Sequence, residues 1–111
     1  MTDGLGSPRL KVPASVRRGE VFTVKSILAH PMESGLRKDE HGLLIPRRIV
    51  RQVTVSLEGQ ELMRADWNPG ISANPYWEFA LKADHGGLLV MEWHDDDGSL
   101  YRAEAAITVV A

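Results

Sequence analysis

The chain reads as an all-β protein, an immunoglobulin-like antiparallel β-sandwich of about seven short strands. Three observations lead there. Short apolar runs alternate with period two, turn-forming residues separate them at fairly even intervals, and no helical apolar periodicity persists beyond one turn. A small barrel is the alternative closure for the same strands.

Residues 1–8 read as a flexible tail and residues 9–111 as one folded domain. Arg9-Leu10-Lys11-Val12 alternates and stops at Pro13, and Arg17-Arg18-Gly19-Glu20 forms a turn into the strand from Val21 to Leu28. Phe22, Val24, Ser26 and Leu28 share one face of that strand, and Phe22, Val24 and Leu28 are assigned to the core. A long polar loop from His30 to Pro46 then breaks the rhythm, and loops of that length usually carry function.

Beyond it, Ile49, Val53, Val55 and Leu57 fall on one face, and Glu58-Gly59-Gln60 reverses the chain into Glu61 to Trp67 as a hairpin. The Asn68 to Pro75 connection carries two Asn-Pro steps, each of which keeps the residue before proline out of the helical region. Trp77, Phe79, Leu81 and Ala83 alternate with Glu78 and Lys82, the clearest strand pattern in the chain. Asp84 to Gly87 turns into Leu88 to His94, and Asp95-Asp96-Asp97-Gly98 turns into a last strand from Leu100 to about Val110. No cysteine pair joins the sheets, so Trp77 and Trp93 are expected to supply inter-sheet bulk.

Thirteen basic and fifteen acidic side chains leave a formal net charge of −2, which gives no global pull toward nucleic acid or an anionic membrane. The absence of cysteine excludes disulfides, thiolate catalysis and Cys-ligated metal centres. No apolar run approaches the roughly 18 residues of a membrane-spanning helix. The N-terminus lacks the basic and apolar regions of a secretory signal.

Most reactive motifs fail on context. His30, His41, His85 and His94 are scattered, without the spacing of a helical zinc site. His30 and Met32 together could offer soft ligands to copper, although a packed methionine beside a capping or partner-facing histidine explains them as well. Asp95-Asp96-Asp97-Gly98 would need Trp93 as first ligand of a calcium loop, so it reads as a solvated turn. Gly70-Ile71-Ser72-Ala73-Asn74 lacks the last glycine of a nucleophile elbow, and Gly4-Leu5-Gly6 does not follow a strand. Arg37, Lys38, Arg47, Arg48 and Arg51 form the one basic concentration, suited to an anionic ligand or acidic partner. No cofactor and no catalytic constellation emerge.

Gly19-Glu20-Val21, Lys25, His30-Pro31-Met32-Glu33-Ser34-Gly35, Arg37-Lys38-Asp39, Ile45-Pro46-Arg47, Arg64-Ala65-Asp66 and Ala73-Asn74-Pro75 together resemble the SoxZ family, from about Arg9 to Ala111. The resemblance implies a non-catalytic sandwich paired with SoxY, whose C-terminal Gly-Gly-Cys-Gly-Gly arm carries thiosulfate-derived sulfur between periplasmic oxidising enzymes. It also implies periplasmic location through co-export with SoxY. On this reading an apolar face including Met63, Trp67 and Tyr76 is expected to meet the partner. The loop, with His30, Met32, Arg37, Lys38 and Arg47, is expected to dock the oxidising enzymes or steer anions. The competing class is a small-ligand or copper-binding sandwich using His30, Met32 and a nearby histidine; an enzyme reading rests only on Ser72 and the histidines.

Overall fold

The computed structural model describes residues 7–111. Residues 1–6 of the expected tail, with Gly4-Leu5-Gly6, lie outside the described residues; Ser7 and Pro8 precede the first strand without regular structure.

Eight strands form two sheets, and no helix occurs among the described residues. They are β1 (Arg9–Lys11), β2 (Ser15–Arg17), β3 (Val21–Ile27), β4 (Val50–Leu57), β5 (Gln60–Asp66), β6 (Tyr76–Lys82), β7 (Gly87–Asp95) and β8 (Leu100–Val110). One sheet has the order β1-β3-β6 and the other β2-β8-β7-β4-β5. Stacked face to face, they make the expected immunoglobulin-like sandwich.

The period-two patterns decide which side chains enter. In β3, Phe22, Val24 and Ser26 are buried while Val21, Thr23, Lys25 and Ile27 are exposed. Val53, Val55 and Leu57 of β4 meet Leu89, Met91 and Trp93 of β7 in the same interior. Burying each such aliphatic or aromatic side chain is worth about 1.5–3 kcal/mol. A register irregularity between Val50 and Gln52 lets both Ile49 and Val50 point inward, which strict alternation forbids.

Two features depart from the expectation. The strand count is eight, because Ser15–Arg17 forms a three-residue strand too short to register as an alternating run. That strand also runs parallel to β8, whereas the remaining ladders are antiparallel. Pro13 stands where the chain leaves the first sheet for the second, since proline cannot continue a ladder.

The hairpin after β4 is tied to the turn before β7. Glu58 has a positive φ of 49°, and its carboxylate accepts the Leu88 N–H at 2.7 Å. Gly87 lies beneath it with φ 149°, where any Cβ would run into the Glu58 side chain.

At one end of the sandwich lie the close of β3, the start of β4, the close of β5, the start of β6 and the β7–β8 turn. The long loop leaves from this end.

Candidate functional site

The loop is not a free coil but a two-stranded arm. Glu33 and Arg48 pair antiparallel at its base and Lys38 pairs with Leu44 further out. The Ile45 N–H donates to the Arg37 carbonyl and the Asp39 N–H to the Leu43 carbonyl, both at 2.8 Å. Asp39 closes the tip by accepting the His41 and Leu43 N–H groups on its side chain. Gly35, with φ 87°, lets the two arm strands approach, since a Cβ there would sit 3.1 Å from the Arg47 Cβ.

A buried polar strut anchors the base of this arm. The His30 ring donates from Nε2 to Asp95 Oδ2 at 2.6 Å, both side chains fully shut off from solvent. The Met32 N–H donates to His30 Nδ1 at 2.9 Å, which fixes the ring proton on Nε2. Asp95 Oδ2 also accepts from Arg48 Nε and from the Tyr101 hydroxyl, each at 3.1 Å. Arg48 in turn donates to that hydroxyl at 3.0 Å and pairs with Asp97. Every buried partner is satisfied, which is the condition under which such a network stabilises rather than costs.

The electrostatics follow the geometry. Burial and then the Asp95 charge raise the Tyr101 phenol above its ordinary value. Burial opposes the Arg48 charge, but Asp95, Tyr101 and Asp97 outweigh it, so its pKa is raised. The Arg47 guanidinium, donating to Asp96 at 2.8 and 3.1 Å, holds that carboxyl below the usual aspartate range despite partial burial. Asp97 is lowered chiefly by the Ser99 N–H.

These contacts revise several expectations. Asp95 is not part of a solvated turn: it is 1% exposed and is the hub of the strut. His30 and Met32, at 1% and 6% exposure, face the interior rather than a partner. Their donor atoms are also committed, His30 as above and the Met32 sulfur to the Val50 N–H at 3.3 Å, so the copper reading lacks a free ligand pair. The basic concentration is largely neutralised: Arg37 pairs with Glu33, Arg47 with Asp96, and Arg48 with Asp95 and Asp97. The basic run and the aspartate turn are each other's counter-charge, a pairing across almost fifty residues that sequence spacing does not reveal. Among the described residues, no group of three or more His, Asp or Glu side chains is arranged to hold a metal ion.

Met63 and Trp67 point inward and are half-buried, not displayed on an outer sheet face. They line the open side of the sandwich between the edge strands β5 and β6, where Trp67 meets Trp77 edge-on at 5.8 Å and Trp77 tilts against Phe79 at 4.5 Å. Trp93 supplies the expected central bulk at 1% exposure, and Trp77 bridges the sheets only at this margin. Tyr76 is exposed on the outer face beside Ile27, its hydroxyl donating to Glu78.

What the reading of the loop missed is its apolar content. Leu36, Leu43 and Leu44 are 83%, 66% and 60% exposed, among the most exposed large apolar side chains described. By ladder position Leu36, Lys38, Leu44 and Pro46 share one face of the arm, and Leu43 and Ile45 share the other. Ile27, Tyr76 and Leu100 are exposed at the same end of the sandwich. Exposed apolar residues gathered in this way mark an interaction surface.

A buried strut and an apolar arm define the class: a β-sandwich module that presents an exposed apolar surface. Comparison with known proteins gives the family. The sequence matches the family described as sulphur oxidation protein SoxZ over residues 10–106, and the chain belongs to that family. Among curated proteins none matches it significantly. In structure it is similar to the superoxide reductase (neelaredoxin) from Ignicoccus hospitalis, with a TM-score of 0.68 and 22% identity, covering 93% of this chain and 80% of that one. It is also similar to the sulfur carrier protein SoxY from Chlorobium limicola f thiosulfatophilum, with a TM-score of 0.64 and 15% identity, covering 95% and 80%. The superoxide reductase from Nanoarchaeum equitans follows at 0.59 and 14%, covering 89% of each chain. At these identities the likenesses establish the shared sandwich fold.

Proposed function

We propose that this chain is the non-catalytic scaffold subunit of a sulfur carrier, paired with a SoxY-type subunit whose C-terminal cysteine arm holds the sulfur intermediates of thiosulfate oxidation. Family membership supports a sulfur-oxidation role, and the absence of cysteine means that this chain offers no thiolate to bind sulfane sulfur. Its workplace on this reading is the periplasm, reached together with its partner.

One observation carries the assignment of the pairing surface. The arm is anchored by a buried, fully bonded strut yet carries Leu36, Leu43 and Leu44 into solvent, so a rigid base presents an apolar tip. Burying that tip, together with Tyr76 and Ile27 at the same end of the sandwich, gives the partner its contact area; permanent pairs cover about 2,000 Å² or more in total. Transient encounters with the oxidising enzymes fall to Lys38, the arm cation without a carboxylate within 4 Å among the described residues.

The test is a binding competition between the wild-type chain and a Leu36→Ser, Leu43→Ser, Leu44→Ser variant for the SoxY-type subunit. Far-UV circular dichroism should be the same for both, and the variant should bind at least tenfold more weakly. Equal binding by a folded variant would move the pairing surface elsewhere.

A further inference from the structure

The other end of the molecule carries a second feature that the pairing role leaves unused. β1 pairs with β3 only from Arg9↔Ile27 to Lys11↔Lys25, after which Pro13 takes the chain to the other sheet. Val21 to Val24 therefore have a strand only on their β6 side, and the ladder that β1 began has no continuation. A groove opens in its place. Val12, Pro13 and Val16 line it on the crossover side and Val21, Phe22 and Thr23 on the other, with Lys11 and Lys25 at one end.

Its lining is net cationic, Lys11 and Lys25 against Glu20. Lys11 and Lys25 stand directly opposite each other, a like-charge cross-strand pair that costs stability in isolation. Neither lies within 4 Å of a carboxylate among the described residues. Glu78, the cross-strand neighbour of Lys25, is instead bonded to the Tyr76 hydroxyl at 2.8 Å. Glu20, the one acidic residue of the groove, accepts the Arg17 N–H at 2.9 Å. Arg9 and Lys82 extend the cationic character over the same outer sheet face.

We infer that this groove receives an extended acidic segment of a partner protein, which adds beside Val21 to Val24 as a strand and sets a carboxylate between Lys11 and Lys25. Strand addition supplies backbone bonds to an edge that has none; with its carboxylates on the outer face beside Lys11 and Lys25, the segment would turn its alternate apolar side chains inward toward Val12 and Phe22, which line the groove. An extended peptide is favoured over a membrane or nucleic acid because the groove runs along an unpaired backbone edge and Glu78 interrupts the cationic face. This inference stands apart from the pairing surface at the arm end, and either can fail alone.

The experiment uses the full chain, labelled for amide NMR, titrated with a short blocked peptide of alternating valine and glutamate. Shifts should concentrate on the amides of Val21 to Val24 and on Lys11, saturating below about 1 mM. Lys11→Glu with Lys25→Glu should weaken binding by about tenfold or more and reverse the preference toward a valine–lysine peptide. Lys11→Ser with Lys25→Ser serves as the milder variant should the double reversal unfold. Methylating alternate peptide nitrogens should abolish binding, since an added strand needs them. Absence of shifts, shifts mapping elsewhere, equal affinity for the valine–lysine peptide, or tighter binding to phosphatidylglycerol vesicles or single-stranded DNA would each overturn the inference.

Discussion

His30 and Asp95 meet through a single 2.6 Å contact across the end of the sandwich, from the residue that opens the arm to the residue that closes β7. That contact ties both strands of the arm to the sandwich, because the same carboxylate oxygen also receives Arg48 from the returning strand of the arm.

Asp95→Ala should therefore loosen the arm as well as lower stability. Removing the carboxylate leaves the His30 Nε2–H, the Tyr101 hydroxyl and the Arg48 guanidinium without their shared acceptor, a cost of about 3–5 kcal/mol, which for a chain of this size lowers Tm by roughly 10 °C or more. Hydrogen exchange should show the 33–48 segment losing protection ahead of β7. A variant with wild-type Tm would show that the strut contributes nothing.

Acid should act on the second tether, Arg47 to Asp96. The folded-state pKa of Asp96 is depressed by the Arg47 hydrogen bond, so its stabilisation is present above the ordinary aspartate value of 3.8 and is lost as pH falls through the lower folded value. Arg47→Gln should bring the Asp96 titration back toward the ordinary range and shrink the loss of Tm between neutral and acid pH. Carboxyl-carbon NMR and a Tm series read both. An Asp96 titration unmoved by the substitution would contradict the assignment.

Gly87→Ala tests the opposite end. The added Cβ meets the Glu58 side chain at a positive φ, so both the bond to Leu88 and the backbone are disturbed. A destabilisation of about 1–3 kcal/mol is expected from denaturant unfolding. Glu58→Ala in the same background should relieve the clash, and a double variant no more stable than either single one would argue for another cause.

Lys38→Ser should slow association with the oxidising enzymes at low ionic strength and leave it unchanged at high salt, since exposed charges are screened within about 10 Å at 0.1 M. Stopped-flow rates independent of the substitution at low salt would remove Lys38 from the encounter.

The strands were legible because alternation is local. Phe22, Val24 and Leu28, or Trp77, Phe79 and Leu81, reveal their face from a few neighbours, and turn residues mark where each run ends. The strut was not legible, because His30, Arg48, Asp95 and Tyr101 meet only after two sheets are stacked. Taken singly, Asp95 reads as one of three turn carboxylates and His30 as a loop histidine. β2 was missed for a different reason: three residues cannot display a period, and their partner is the far end of the chain. The leucines of the arm were passed over because charged residues surround them in sequence, although pairing of the two arm strands gathers them on its faces.

The most direct measurement is the mass in solution of the chain mixed in equal amounts with its SoxY-type partner, by size exclusion with light scattering. A one-to-one complex at micromolar concentration is predicted. Two separate monomers, or sulfur turnover by this chain with no companion present, would contradict the account.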